Sequence, residues 1–189
     1  MAGIDKYPII FLDRDGTIIV DKVYLNNPDE VEFIDGVIDG LKKLYDNGYK
    51  LVIVTNQSGV SRGKVSLDNL EKIHEKIKSI LNAHGVSLFK IFYCPHLPED
   101  NCECRKPKIG MVKEIENIIN KEKSFVIGDK DSDIGFGKNL GIKTILLLPN
   151  EKNNESGTTE KPDFVVSSFY SAVEIVLHEY EKCNDGKDL

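Results

Sequence analysis

The sequence predicts an α/β fold, in which a doubly wound and mainly parallel sheet is flanked by helices. Short apolar runs alternate with amphipathic helical stretches almost from end to end, and this alternation is typical of right-handed β-α-β units. The apolar runs are unbroken and rich in β-branched residues, as in strands that are buried on both faces. A chain of 189 residues is long enough for one continuous core. We therefore expect a single domain over residues 1–189.

The predicted elements follow one another in a regular order. Strands are predicted at 9–12, 51–54, 91–93, 125–127, 145–148 and 164–166, and helices at about 37–47, 67–84, 110–122, 133–139 and 170–181. The second helix shows the period best, because Leu70, Ile73, Ile77 and Leu81 share one face. His74 is expected off that face and in solvent. Residues 150–161 are interpreted as a polar loop, and 184–189 as a disordered tail.

Charge and hydropathy exclude several classes of partner. The chain has 31 Asp and Glu against 25 Lys and Arg, for a net charge of -6, which argues against holding nucleic acid or an anionic membrane by bulk charge. No apolar run approaches the ~18 residues that a membrane span needs, and the first residues lack the apolar stretch of a signal peptide. We expect a cytoplasmic protein that works as a monomer.

Three of the four cysteines fall within one short segment, together with a histidine. Cys94, His96, Cys102 and Cys104 offer three thiolates and one imidazole, whereas a secreted disulfide framework would spread its pairs along the chain. Three sulfurs and one nitrogen complete a tetrahedral Zn²⁺ site and leave no position for water. Residues 94–104 therefore predict a loop held by a structural zinc ion. Chance clustering or a redox pair is the alternative.

The residues that leave the first predicted strand are acidic. Ligands of an open parallel sheet bind at the carboxyl ends of its strands. Asp13 and Asp15 stand there, followed by a turn at Gly16. Two carboxylates that lie close together favour different protonation states, as a nucleophile beside a general acid and base requires. By itself the pair could equally be a helix cap or a solvated turn.

Other strand ends supply further parts of a phosphoryl-transfer site. Asp129 and Asp133 add hard oxygen ligands of the kind that Mg²⁺ uses beside a phosphate. Thr55 offers a hydroxyl group to phosphate oxygens, and Arg105 and Lys106 bring positive charge. Acidic, hydroxyl and basic groups at several strand ends together predict Mg²⁺-dependent phosphoryl transfer.

Four motifs resemble, in order and spacing, those of the haloacid dehalogenase-like phosphatases. They are Asp-Arg-Asp-Gly-Thr at 13–17, Thr-Asn at 55–56, Lys106, and Gly-Asp at 128–129 with Asp133. The match covers roughly residues 8 to 148 and implies the Rossmann-like fold of that family. Too few residues separate the first motif from the second strand for a full cap domain. Specificity is therefore expected from loops.

The resemblance also implies the role of each matched residue. Asp13 would attack phosphorus and form an aspartyl-phosphate, and Asp15 would act first as general acid and then as general base. Mg²⁺ would bind Asp13, Asp129 and the backbone carbonyl of Asp15. Thr55 and Lys106 would hold the phosphoryl oxygens. Whether Asp133 binds the metal or only supports its loop stays open.

The zinc loop, followed by Arg-Lys-Pro at 105–107, resembles the subgroup of this family that contains heptose-1,7-bisphosphate and histidinol-phosphate phosphatases. The segments 18–24, 32–37 and 55–63 resemble the heptose enzymes, which implies removal of the C7 phosphate of D-glycero-D-manno-heptose 1,7-bisphosphate during nucleotide-activated heptose synthesis. The short spacer between His96 and Cys102 resembles that of histidinol-phosphate phosphatases instead. Histidinol phosphate therefore stays open as an alternative substrate.

Contacts to the substrate are expected from loop residues near the strand ends. The resemblance implies Asp21, Lys22, Tyr24, Thr55, Asn56, Gln57, Ser58, Arg105, Lys106 and Lys130. Arg62 is added because cations around the site of a net-acidic protein favour a substrate with more than one anionic group. Arg14 is expected either to reach the substrate or to form an ion pair.

Two other classes of protein stay open at this point. A phospho-accepting receiver domain has the same type of sheet and an acidic Mg²⁺ pocket, but it does not need Asp15 as an acid. A zinc-stabilised interaction module would leave the carboxylates of Asp13 and Asp129 without a role. Catalytic turnover distinguishes a phosphatase from both.

Overall fold

The structure, a computed structural model, describes residues 5–148 and 161–185. Its strands are β1 (Ile9–Leu12), β2 (Lys50–Asn56), β3 (Leu88–Cys94), β4 (Phe125–Gly128), β5 (Lys143–Leu147) and β6 (Phe164–Val166). They form one sheet in the order β3-β2-β1-β4-β5-β6, and every neighbouring pair is parallel. The predicted parallel α/β fold is confirmed.

Four α-helices accompany the sheet within the described residues. They are α1 (Val37–Asp46), α2 (Leu67–Ala83), α3 (Asp131–Leu140) and α4 (Phe169–Asp185). None of these helices combines the length and the apolar character that a bilayer span requires. Because α4 continues to Asp185, residues 184 and 185 are helical, and the prediction of a disordered tail is wrong for these two residues. The rest of the tail predicted at 184–189, and residues 150–160 of the loop predicted at 150–161, lie outside the described residues.

The helix predicted at 110–122 is wrong in type. The segment forms two 3-10 helices instead, at Gly110–Ile118 and Lys121–Lys123. At its end, the Tyr7 amide donates to the Ile118 carbonyl at 2.8 Å, and the Asn120 amide donates to the Tyr7 carbonyl at 2.9 Å. These long-range bonds take the Ile118 carbonyl and the Asn120 amide, two backbone groups that a continuing helix would use for itself.

Along the central strand β1, alternate residues pack into separate cores on the two faces of the sheet. Ile10 and Leu12 of β1 join a core with residues of α1, α2 and α4. Ile9 and Phe11 face the opposite side and pack with residues of α3 and of the 3-10 segment. This alternation follows from the two-residue period of a strand, and it shows that both faces of the sheet are covered.

The central strand β1 marks the point where the strand order reverses. It pairs with β2 on one side and with β4 on the other, and the Asp13 amide donates to the Ile127 carbonyl of β4 at 3.0 Å. A reversal of this kind opens a crevice at the carboxyl ends of the two strands, where ligands of such sheets bind. Between β1 and β2 the chain forms only a 3-10 turn (Pro28–Glu30), isolated bridges and α1, and not a cap domain.

Candidate active site

A small cavity lies at the carboxyl ends of β1, β2 and β4. Its volume is about 180 Å³, and its lining contains Asp13, Asp15, Thr55, Asn56, Arg105, Lys106, Lys130 and Ser132. A larger groove of about 580 Å³ runs between α2 and β3 on the surface. The smaller cavity is the candidate site, because it gathers the carboxylates, the hydroxyl group and the cations of the strand ends.

The ammonium group of Lys106 is buried against two carboxylates. It donates to Asp13 Oδ1 at 2.8 Å, to Asp133 Oδ1 at 2.5 Å and to the Val54 carbonyl at 2.6 Å. Burial opposes the ionisation of Asp13, but the charges of Lys106 and Lys130 outweigh it and hold the pKa of Asp13 below its ordinary value. Asp13 is therefore a carboxylate at neutral pH, the form that can attack an electrophile.

Asp133 shares the Lys106 ammonium with Asp13. Burial, with the nearby charge of Asp13, raises the pKa of Asp133 to about 7 although Lys106 opposes the rise. The other carboxylate oxygen of Asp133 accepts the Lys130 backbone N–H at 3.1 Å. Both oxygens of Asp133 therefore bond to donors of the protein, which ties the loop after β4 to Lys106.

Four oxygens lie near the Lys130 ammonium at the edge of the cavity, one from Asp21 and three from the ends of β1 and β4. Lys130 Nζ lies 3.1 Å from the Asp15 carbonyl oxygen, 3.5 Å from Asp129 Oδ2 and 3.7 Å from Asp13 Oδ2. Burial raises the pKa of Asp129 to about 6, an effect that Lys130 opposes and Asp13 increases. Two carboxylates and a carbonyl around one cationic position are a donor set that suits Mg²⁺, which takes hard oxygen ligands and keeps several waters.

The turn after β1 makes room for the Asp129 carboxylate. Gly16 has φ +86, a backbone conformation that side-chain-bearing residues rarely adopt, and a Cβ there would overlap the Asp129 carboxyl group. The Thr17 hydroxyl also donates to Asp129 Oδ1 at 3.3 Å. Glycine at this position therefore allows carboxylates from two different strand ends to approach one another.

The carboxylate of Asp15 is held by two side chains. The Arg14 guanidinium contacts both Asp15 oxygens at 2.8–3.1 Å through Nε and one terminal nitrogen. Gln57 Nε2 donates to Asp15 Oδ2 at 2.7 Å and to the Thr55 hydroxyl oxygen at 2.8 Å. Of the two possibilities for Arg14, the structure shows the ion pair, with the side chain 1% exposed.

The expectation that His74 lies in solvent is wrong. His74 is buried on the inner face of α2 together with Leu70, Ile73, Ile77 and Leu81. Position 74 follows 70 by four residues and precedes 77 by three, which is the spacing of one helix face. Burial, followed by the charge of Arg14, lowers the pKa of His74 to about 3, so the imidazole is neutral at physiological pH.

The other predicted substrate contacts divide into three groups. The Asn56 amide exchanges two hydrogen bonds with the Lys106 backbone, at 3.0 and 3.1 Å, and so positions Lys106. Asp21 lies at the edge of the site, 3.7 Å from Lys130 Nζ. The remaining predicted side chains do not line the cavity; they are Lys22, Tyr24, Ser58 and Arg62. Lys22 instead pairs with Glu32 at 3.2 Å.

The four predicted zinc ligands lie together beside this cavity. Sγ–Sγ distances among Cys94, Cys102 and Cys104 are 3.1–3.5 Å, and His96 Nδ1 lies 3.6 Å and 3.2 Å from the sulfurs of Cys94 and Cys104. Zinc bonds of about 2.3 Å to sulfur and about 2.1 Å to nitrogen separate tetrahedral ligand atoms by about 3.5–3.8 Å. The cluster therefore fits a zinc ion after small adjustments.

Backbone groups of this cluster also hold loops of the cavity. The backbone N–H of Gln57 donates to the Cys94 carbonyl at 2.7 Å, and the Ser61 hydroxyl donates to the Pro95 carbonyl at 2.8 Å. The Arg105 guanidinium donates to the His96 carbonyl at 3.1 Å. The Cys/His cluster is thus connected to the residues that contact Asp15 and to those that carry Lys106.

Comparison with known families identifies the chain. Residues 8–167 match the family described as polynucleotide kinase 3 phosphatase. The chain belongs to this family. Its members are haloacid dehalogenase-like phosphatases, so the predicted family and the predicted phosphatase activity are confirmed. The receiver-domain and interaction-module alternatives do not apply to a phosphatase of this family.

Relatives within this phosphatase family carry a more specific name. A protein of Haemophilus ducreyi named D-glycero-beta-D-manno-heptose-1,7-bisphosphate 7-phosphatase is 39% identical over 176 residues, covering 88% of this chain and 97% of its own. A protein of Helicobacter pylori J99 with the same name is 43% identical over 142 residues, covering 74% and 82%. The crystal structure of D,D-heptose 1,7-bisphosphate phosphatase from B. bronchiseptica, complexed with magnesium and phosphate, superimposes with a TM-score of 0.79 at 29% identity, covering 91% and 99%.

Proposed function

We propose that this phosphatase removes the C7 phosphate of D-glycero-β-D-manno-heptose 1,7-bisphosphate and serves nucleotide-activated heptose synthesis. The observation that carries the proposal is the ionised Asp13 carboxylate, which lies beside Lys106 in a cavity that Asp15 also lines. The names of the relatives support the heptose substrate and its β anomer. The Mg²⁺ in the similar crystal structure supports the metal requirement.

The reaction begins when a carboxylate oxygen of Asp13 attacks phosphorus. As this bond forms, the bond between phosphorus and O7 of the sugar breaks, and Asp15 gives its proton to O7 so that the sugar leaves as an alcohol. Asp15, now a carboxylate, takes a proton from a water molecule that attacks the aspartyl-phosphate. Inorganic phosphate leaves and Asp13 is restored.

Charged and hydroxyl groups of the cavity stabilise the phosphoryl group during transfer. Lys106 and the Thr55 hydroxyl hold its oxygens, while Arg105 and Lys130 border the cavity and face the anionic substrate. Mg²⁺ would be held by Asp13, Asp129 and the Asp15 carbonyl, and it would neutralise charge on Asp13 and the phosphoryl oxygens. Asp133 acts through Lys106 and the loop after β4 instead of binding the metal.

The Cys/His cluster supports the site and takes no part in the chemistry. Zn²⁺ bound by Cys94, His96, Cys102 and Cys104 would have all four positions filled by protein atoms. Its role would be to hold the loop that contacts Gln57 and Arg105. We further propose one domain over residues 1–189 that is cytoplasmic and monomeric, without nucleic acid or membrane partners.

The test is Mg²⁺-dependent phosphate release, compared as kcat/KM, from the α and β heptose 1,7-bisphosphates and from histidinol phosphate. The β heptose is expected to be the best substrate. Asp13→Asn should abolish release and leave the fold intact, because the amide keeps the shape of the side chain but cannot attack phosphorus. A preference for histidinol phosphate, or release from none of the three, would overturn the proposed substrate. Normal activity of Asp13→Asn would overturn the mechanism.

A further inference from the structure

We propose that Arg14 and His74 are positioning residues for catalysis, which hold the Asp15 carboxyl group where it exchanges protons with the leaving oxygen and with water. This inference rests on the proposed acid and base role of Asp15. His74 lies on α2, in a different layer from the strand ends, and nothing in the motifs of the sequence connects it with the cavity. The connection is a chain of contacts from His74 through Arg14 to Asp15.

The first contact in this chain is the fork between Arg14 and Asp15. Nε and one terminal nitrogen of Arg14 reach both carboxylate oxygens at 2.8–3.1 Å. A planar fork of this type fixes the direction of a carboxylate as well as its distance, which a single ammonium contact does not. Gln57 adds one donor to the same carboxylate at 2.7 Å. The orientation of Asp15 is therefore determined largely by the orientation of Arg14.

The second contact determines the orientation of Arg14. Its remaining terminal nitrogen, Nη1, lies 3.5 Å from His74 Nε2. A guanidinium group can only donate, so Nε2 must be the acceptor, with the imidazole proton on Nδ1. The neutral state of this buried imidazole agrees with that requirement. The ring of Tyr93 in β3 also packs near the imidazole, with ring centroids 5.6 Å apart, and helps to hold it in place.

The burial of Arg14 makes this acceptor important. The side chain is fully enclosed, so Nη1 cannot exchange a lost partner for bulk water. An unpaired buried donor is costly, and the guanidinium would turn to recover a partner. Because the same rigid group forms the fork, turning it would move the Asp15 carboxylate. A displacement of about 1 Å in a catalytic group is enough to slow a reaction by up to about a hundredfold.

The decisive readout is the dependence of kcat/KM on the leaving group. The sugar leaves as an alkoxide unless it is protonated, whereas p-nitrophenolate leaves readily without an acid. The parameter kcat/KM reports only the steps up to and including the first irreversible step. When formation of the aspartyl-phosphate is irreversible, the later attack by water therefore does not affect kcat/KM. A purely structural defect would lower kcat/KM for both substrates, whereas a misplaced acid lowers it mainly for the sugar.

Two substitutions at His74 provide the matched comparison. His74→Gln places an amide oxygen where Nε2 stands and keeps an acceptor for Arg14. His74→Leu has a similar size but offers no acceptor. We expect His74→Leu to lower kcat/KM for the β heptose bisphosphate by about tenfold, which is a usual loss when a residue that orients a functional side chain is replaced. For p-nitrophenyl phosphate the loss should be less than about twofold, because this leaving group needs no acid. His74→Gln should stay near the wild-type values for both.

Further variants keep the test decisive if His74→Leu does not fold. The asparagine of His74→Asn is polar but too short to reach Arg14 Nη1, so this variant should behave like His74→Leu. Arg14→Lys keeps the positive charge but not the fork, and should show the same selective loss. Asp15→Asn provides the reference for complete loss of the acid, and in that background His74→Leu should cause no further selective loss.

The outcomes separate this inference from the proposed function. Equal losses for both substrates in His74→Leu, or no loss in a folded protein, would overturn the positioning role while Asp15→Asn still shows its selective loss. If Asp15→Asn itself loses activity equally on both substrates, the acid role of Asp15 is wrong and the inference falls with it.

Discussion

Replacing Lys106 by Met would leave two carboxylates buried without their ammonium partner. Lys106 contacts Asp13, Asp133 and the Val54 carbonyl at 2.5–2.8 Å, and all three ionic side chains are almost fully enclosed. Removing one partner of a buried ion pair costs about 3–5 kcal/mol of stability, because the other charge stays uncompensated. Lys130 remains 3.7 Å from Asp13, which favours the lower end of this range.

The loss should depend on pH with a definite sign. Without Lys106, burial raises the pKa of Asp13 above its value in the unfolded chain, and the pKa of Asp133, already raised to about 7 in the wild type, rises further. The folded variant then takes up protons before the unfolded chain does as the pH falls, so its stability deficit shrinks between about pH 8 and pH 5. At pH 8 we expect Lys106→Met to be less stable than the wild type by about 3 kcal/mol or more. At pH 5.5 this deficit should be smaller by at least about 1 kcal/mol.

Urea unfolding in Mg²⁺-free buffer, followed by far-UV circular dichroism because the chain has no Trp, measures both quantities. Lys108→Met is the matched control, since Lys108 is partly exposed and its ammonium group bonds to Asn101 and Glu103, so its loss should cost less than about 1 kcal/mol of stability. Equal losses for the two variants, or a Lys106→Met deficit that is constant with pH, would refute the argument.

Three other predictions follow from the structure. Gly16→Ala should raise the Mg²⁺ concentration for half-maximal activity by at least about tenfold, since a methyl group would displace Asp129. The control Gly48→Ala has a similar φ of +84 but nothing near its added methyl group, so it should leave that concentration unchanged. Equal effects of the two substitutions would contradict the overlap with Asp129. Because the pKa of His74 falls from 6.5 to about 3 on folding, the unfolded chain binds its proton first, and wild-type stability should decrease by about 2 kcal/mol more than that of His74→Gln between pH 7 and pH 5; parallel urea curves would contradict this. Protein purified without chelator should retain one zinc per chain through gel filtration, and metal analysis that finds none would exclude the zinc site.

Local sequence patterns predicted the strands because each buried strand is a continuous apolar run, and the acidic residues that follow β1 and β4 could be recognised at their ends. The helix at 110–122 could not be predicted correctly, because its ending depends on hydrogen bonds to Tyr7, more than a hundred residues away. His74 lies on the buried face of α2, but its polar side chain concealed that position. Arg14, which donates to the His74 imidazole, follows β1 and lies 60 residues earlier in the chain.

The side-chain amides after β2 illustrate a second limit. Asn56 and Gln57 were predicted as substrate contacts from their motif, and the structure shows their amides bonded to the Lys106 backbone and to Asp15. A motif identifies which residues belong to a site, whereas the atom that each one contacts depends on three-dimensional packing. For the same reason, the role of Arg14 does not follow from the motif, whereas the fork with Asp15 shows it directly.

The central position of β1 has a consequence for synthesis of the protein. One edge of β1 pairs with β2, and the other edge pairs with β4, which follows more than a hundred residues later in the chain. This second edge stays unpaired until β4 has been synthesised. At about 5–20 residues per second, a ribosome needs roughly 6–23 s to synthesise the chain between β1 and β4. During this time the nascent chain presents an unpaired apolar strand edge, a known template for association with other chains. A product that terminates before residue 125 would keep that edge permanently, and we expect it to aggregate.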